Sequence, residues 1–282
     1  MYREIINISQ GRAASDGAGV KLTRVFGGSR NAEQTDPFLM LDAFGSDEAA
    51  DYIAGFPSHP HRGFETVTYM LEGRVLHEDH LGNRGLLQNG DVQWMTAARG
   101  IIHSEMPQQE EGRMSGFQLW VNLPAAEKLK DPNYRDIASA DIPTRTVENV
   151  FYKIIAGDIQ LAGEAIHGAV SGLSTRPVFV DIHFKEDQHI ELDIPYDHTL
   201  LVYVYQGRAS GGSRKIEISN GQLALFNREG KLALDGDKGT RLIVLAGKPL
   251  REPVVQYGPF VMNTVEEIEQ AIQDYQSGTL TQ

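Results

Sequence analysis

Residues 56–73 read FPSHPHRGFETVTYMLEG, and some forty positions on residues 100–107 read GIIHSEMP. From Thr66 onward the run TVTYMLEGRVLHEDH is rich in β-branched and aromatic residues with Gly73 at a turn, which predicts strands joined as a hairpin. Ahead of that hairpin stand His59 and His61, and the second stretch carries His103 and Glu105. Side chains two residues apart leave a strand from the same face, so each pair can converge on one point. Three imidazoles and a carboxylate form a nitrogen and oxygen donor set for a borderline divalent ion such as Fe(II), Mn(II), Ni(II), Cu(II) or Zn(II). A lone His-x-His reads equally well as a chance pair on a wet hairpin. The second pair, placed where a hairpin would bring it back, turns the reading toward a metal. The chain has no cysteine, so a thiolate site and a disulfide are both excluded.

Working outward, the hairpin grammar of this stretch occurs twice. YMLEGRV at 69–75 is echoed by YVYQGRA at 203–209, and QNGDVQWM at 88–95 by SNGQLALF at 219–226. The recurring order of strand, Gly, strand, Asn-Gly and strand predicts two copies of one β-barrel in an all-β chain. Sliding the first copy onto the second puts Asp193, Pro195, Leu234 and Gly236 where the four candidate ligands stand, so the second barrel is expected to be metal-free. Further strands are predicted near Val20, Leu22 and Val25, in DPFLMLDAFG (36–45), in FQLWVNL (117–123), and in VFYKIIAG, PVFVDIHF, HIELDI, TLLVYVYQG, LALFNREG and TRLIVLAG beyond residue 149. Between 124 and 146 apolar periodicity fades, which reads as a linker with one helical turn at 125–130. The expected division is a metal-binding barrel at 1–130 and a ligand-free barrel at 131–282 that also carries a C-terminal helix. That helix is signalled by Thr264-x-x-Glu267, a capping box, by Val265, Ile268, Ile272 and Tyr275 at helical spacing, and by Gly278 as a stop.

Composition narrows the function classes. With 38 acidic residues against 26 Lys and Arg the net charge is −12, and no basic run occurs, which argues against direct nucleic-acid binding. No apolar run approaches the length of a membrane span, and the N-terminal MYREIINISQGR lacks the apolar core of a secretory signal, so a cytoplasmic protein is expected.

Other residues compete for roles. His77 and His80 are spaced three apart, which places them on opposite strand faces and reads as exposed hairpin histidines. His167, His183, His189 and His198 read as ordinary histidines. Glu65 is a candidate base near the metal, or an acceptor that fixes a ligating imidazole. Phe56, Trp94, Met95 and Met106 flank the ligands and would line an apolar pocket or simply pack the core. Arg62 and Arg99 lie near the site in sequence, with no indication of where they point.

The stretch HPHRGFETVTY followed by GDVQWMTAARGIIHSEMP resembles the pirin family of the cupin superfamily, and the likeness extends through DPFLMLDAFG, FQLWVNLP and PNYRDI. The general cupin spacing, His-x-His-x3-Glu and then Gly, is present as His59, His61, Glu65 and Gly73. In the pirin pattern the fourth ligand is instead Glu105. The resemblance implies two cupin-type, double-stranded β-helix or jelly-roll barrels. Four protein ligands on an octahedral ion leave two positions open, enough for a substrate with neighbouring hydroxyl and keto oxygens to chelate beside dioxygen. What the resemblance implies for such a site is a quercetin 2,3-dioxygenase type of oxidoreductase, with Fe(II) first among the metals and a flavonol and O2 as substrates. As the alternative, it also implies a metal-dependent regulator that docks on a transcription factor or a metabolic enzyme.

Overall fold

Every ladder between the strands is antiparallel, and the strands sort into the two copies anticipated from the repeat. The computed structural model describes residues 1–28 and 32–282. In the first barrel the larger sheet has the order Asn133–Ile137, Val92–Thr96, Phe64–Glu72, Met114–Asn122, Phe38–Ser46, Val20–Gly27 and Arg12–Asp16. Its smaller sheet runs Phe56–His61, Ile101–Pro107, Val75–Asp79 and Arg84–Leu87. The second barrel repeats this arrangement. Its larger sheet is Ile5–Gln10, Gln222–Phe226, Thr199–Gln206, Arg241–Gly247, Val178–Phe184, Val150–Ala156 and Thr144–Val147, and its smaller sheet is Gln188–Leu192, Leu232–Gly236, Arg208–Gly211 and Ile216–Ser219.

Period-two alternation builds the second core. Val178, Val180, Ile182 and Phe184 point inward from one strand, Leu200, Val202 and Val204 from the next, and Ile190, Leu192, Leu232 and Leu234 meet them from the smaller sheet. These residues form one buried cluster across both sheets, the expected driving force for closing a barrel from half-apolar strands.

The domain boundaries expected from sequence require correction. One compact unit comprises residues 1–11, 34–36 and 140–249, and the other comprises 12–33, 37–139 and 250–282. The supposed linker is used as structure: Asn133–Ile137 pairs with Val92–Thr96 and completes the first large sheet. The corresponding edge of the second large sheet is filled by Ile5–Gln10, from the start of the chain, against Gln222–Phe226. A linear cut misplaces both ends because strand pairing is decided by a free sheet edge, not by sequence neighbourhood. The helical turn at 125–130 is a short 3-10 turn, Ala125–Glu127.

The helix Val265–Ser277 has the predicted ends. Thr264 accepts the Glu267 amide while the Glu267 side chain accepts the Thr264 amide, and Gly278 closes it in the left-handed conformation. Its buried face is narrower than predicted. Ile268 and Ala271 pack against Phe260, Met262 and Leu280, whereas Val265 is 56% and Tyr275 42% exposed.

Candidate metal centre

The smaller sheet of the first barrel assembles the site. Ile101–Pro107 lies antiparallel between Phe56–His61 and Val75–Asp79, with His103 opposite His59 and Ile101 opposite His61. The register shifts after His103, so that Glu105 stands opposite Phe56. His59, His61 and His103 each offer a ring nitrogen, and the three nitrogens lie within 4.8 Å of one another. No other such group of three occurs among the described residues. His61 and His103 are buried and His59 is half-buried.

The donor chemistry of this cluster fits a cation. The Nδ1 of His59 is 2.8 Å from the Pro57 carbonyl, which can only accept, so the proton sits on Nδ1 and the Nε2 lone pair is free. That Nε2 lies 3.0 Å from Nε2 of His61, where two lone pairs would repel unless a proton or a metal lay between them. The Nε2 of His103 is buried with no hydrogen-bond partner. Burial, reinforced by the neighbouring imidazoles, holds His61 and His103 well below the usual histidine range, so both rings are neutral at neutral pH, the form that binds metal.

Glu105 shares the cavity rather than the tight cluster. Burial raises its carboxyl above the usual range, opposed by His59 and by the Thr68 hydroxyl, which lies 2.9 Å from its Oε1. The same hydroxyl is 2.6 Å from the carboxamide of Gln118. A cavity of about 560 Å³ opens here, lined by His59, His61, Glu105, Thr68 and Gln118 and by Met40, Phe44, Phe56 and Trp120. On its wall Arg24 holds Asp42 through two parallel bonds of 2.9 and 2.7 Å.

The turn after His61 is fastened in place. Gly63 adopts φ +92°, and a Cβ there would lie 1.9 Å from the Val261 carbonyl. The buried Lys128 donates to the carbonyls of Gly63 and Val261 and to Asn122 at 2.6 to 3.0 Å, and burial pushes its ammonium down to about 8. Arg62 turns away from the cluster to Asp274 of the helix and to the Leu280 carbonyl, and Arg99 pairs with Asp131.

Several candidates land elsewhere. Glu65 is corrected: it does not reach an imidazole. Thr68 faces the cavity, so Glu65, an odd number of residues away, faces the other side of the sheet, where it is 1% exposed and accepts a 2.7 Å bond from Thr96. His77 is corrected too. It is fully buried and its Nε2 lies 2.6 Å from His103 Nδ1. The signal was present, since Val75 and His77 share one strand face while His80 falls beyond the strand end. His167, His183, His189 and His198 each meet a carboxylate and join no metal-ligating group among the described residues. Phe56 lines the cavity, while Trp94 and Met95 are buried core. In the second barrel the structural counterparts of His59, His61 and His103 are Ile190, Leu192 and Leu234, paired as Ile190 with Leu234 and Leu192 with Leu232. The sequence slide had placed Asp193 and Pro195 there. It erred because six residues follow that strand where only Arg62 and Gly63 follow its counterpart.

Comparison with known proteins agrees with this architecture. The family profile described as Pirin matches residues 19–121, and that of the pirin C-terminal cupin domain matches residues 179–281. The chain belongs to the pirin family. One relative, a Pseudomonas aeruginosa protein provisionally named a quercetin 2,3-dioxygenase, is 56% identical over 99% of this chain and 98% of its own. A pirin-like protein of Caulobacter vibrioides is 42% identical over 98% of each chain. Among solved structures, a quercetin 2,3-dioxygenase from Acinetobacter baumannii superposes with a TM-score of 0.90 at 33% identity, covering 99% of both chains. The pirin fold, two cupin barrels with a short C-terminal helix, is thus shared along the whole chain.

Proposed function

We propose that this pirin is a metal-dependent dioxygenase that cleaves the ring of a flavonol such as quercetin with O2. In this reading His59, His61, His103 and Glu105 hold one divalent ion, Fe(II) ahead of Mn, Ni, Cu or Zn. The observation that carries it is the gathering of three imidazole nitrogens within 4.8 Å beside a cavity of about 560 Å³, a volume typical of small-molecule sites, roughly 300–1,000 Å³. Relatives named for quercetin dioxygenase activity over nearly the full chain support the same class.

When bound, such an ion supplies Lewis acidity and redox chemistry with dioxygen. The remaining work falls to the chain. His59 is oriented by the Pro57 carbonyl, so its Nε2 stays available. The Glu105 carboxylate adds negative charge to the donor set and is steadied at Oε1 by Thr68. Met40, Phe44, Phe56 and Trp120 give a flat, fused-ring substrate apolar walls and keep water out, while Gln118 and the Arg24–Asp42 pair supply the few polar groups that orient it.

The test is metal analysis after anaerobic purification, followed by oxygen consumption with a panel of flavonols. The reading expects about one ion per chain and quercetin turnover far above that of free iron, both lost in His103→Ala. Turnover no better than free iron overturns the catalytic reading, and a partner protein captured by one oxidation state only would then establish the regulator.

A further inference from the structure

We infer that His77 is a positioning residue for the metal centre, holding His103 in the one tautomer that can bind a metal. The inference rests on the metal-centre reading above and goes beyond it, because His77 is not a ligand in that reading. His77 projects inward from Val75–Asp79, the strand beside Ile101–Pro107, and none of its surface is exposed. Its Nε2 lies 2.6 Å from His103 Nδ1. Two neutral imidazoles at that distance share one proton, and either ring can hold it.

The two arrangements have different consequences. If His77 donates from Nε2, His103 accepts at Nδ1 and must carry its own proton on Nε2, where it has no acceptor and no lone pair to offer. If His103 donates from Nδ1, its Nε2 carries the free lone pair with which the ring can join His59 and His61 as a metal ligand, and His77 keeps its proton on Nδ1. Either way one buried N–H and one buried lone pair are left over, since His103 Nε2 and His77 Nδ1 both lack partners. The apo protein therefore has little preference, and a cation on His103 Nε2 selects the second arrangement. Linkage runs both ways, so an acceptor at His77 Nε2 strengthens metal binding. The surroundings keep that acceptor in place. The ring of Tyr134 lies against His77 with centroids 5.0 Å apart, and Tyr134 is itself anchored by a 2.6 Å bond to Asp136 and by Gln93.

Two substitutions separate acceptor from shape. His77→Phe keeps a ring against Tyr134 and removes the acceptor, and His77→Gln keeps an acceptor near the place of Nε2. Chelator-stripped wild type and both variants are titrated with Ni(II) alone by calorimetry, with thermal unfolding of the apo forms alongside. The expected result is Ni(II) affinity about 10- to 100-fold weaker in His77→Phe, with His77→Gln within a few-fold of wild type and apo melting temperatures preserved. Equal affinity in wild type and His77→Phe overturns the inference, and so does an equal loss in both variants, which would assign the effect to packing. Because the Phe variant can fail to fold, the tautomers are also read directly by nitrogen NMR of Zn(II)-loaded wild type. His103 protonated on Nδ1 supports the inference, and His77 protonated on Nε2 overturns it. A wild type that binds neither Ni(II) nor Zn(II) is a distinct outcome that removes the metal-centre reading and this inference together.

Discussion

The two barrels share one strand order and differ most in chemistry at one antiparallel pair of strands. In the first, Phe56–His61 against Ile101–Pro107 sets imidazoles facing inward. In the second, Gln188–Leu192 against Leu232–Gly236 sets Ile190, Leu192, Leu232 and Leu234 in their place, all within the main core cluster. The first barrel has a cavity where the second is filled with aliphatic side chains. The second barrel encloses its own Arg3, which donates to five backbone carbonyls, among them those of Ile194, Pro195 and His198. The same backbone thus accepts either a packed core or a polar site, and the choice lies in a handful of inward-facing positions. A packed core stabilises outright, whereas buried imidazoles without partners cost stability until a ligand satisfies them.

The sharpest way to break the comparison is to give the first barrel the residues of the second. The triple variant His59→Ile, His61→Leu, His103→Leu is expected to lose metal completely, below a tenth of an ion per chain by metal analysis. Its apo form should unfold at or above the wild-type temperature, because buried polar atoms are exchanged for apolar ones. A triple variant that retains stoichiometric metal would remove these histidines from the site.

The converse, Leu234→His, puts one imidazole into a core that offers it no partner. We expect a loss of about 3 kcal/mol in denaturant unfolding and no gain in metal binding. A smaller cost would mean that the second core is looser than its burial indicates.

Gly63→Ala tests the short connection that sets the first barrel apart from the second. With φ at +92° and the Val261 carbonyl where the Cβ would go, the expected cost is about 2 kcal/mol. Metal affinity should fall with it, since His61 is two residues away. An unchanged melting temperature would show that the turn relaxes freely.

The most gradual effect, spread over a range of pH, is an acid limb in apo stability. His61 and His103 are held well below their usual 6.5, so between 6.5 and the lowered value the unfolded chain binds protons that the folded chain does not. Stability contributed by these groups is present above pH 6.5 and is lost as pH falls, by about 1 kcal/mol per histidine one unit lower. His77, pushed down to about 4 by burial, acts in the same direction. Urea unfolding of chelator-stripped protein between about pH 7.5 and 5.5 should show the decline in wild type and a shallower one in the triple variant.

Much of this was legible in the chain because it rests on short-range geometry. Two residues along a strand return to the same face, so the His59–His61 and His103–Glu105 spacings could be read directly, as could the capping box at Thr264 and Glu267. The same rule, applied to Val75 and His77, would have placed His77 inside, and its spacing to His80 was the wrong signal to follow. For Glu65 the phase of the strand decided against it, and that phase could be set only by knowing that Thr68 faces the cavity.

By itself, then, the sequence determined the strand-rich class, the doubled barrel, the absence of thiolate chemistry and the two ligand-like pairs, all consequences of residue type and spacing within a few positions. Only the tertiary structure decided that strands from both chain ends exchange places between the compact units, that His77 contacts His103, that Lys128 fastens the turn beside the site, and that a cavity lies beside the imidazoles of one barrel while the corresponding positions of the other join a buried aliphatic cluster. These depend on pairings between residues tens to hundreds of positions apart. Such pairings are selected by register, by free sheet edges and by how completely the facing side chains fill the space between sheets, and none of these is a property of any local stretch.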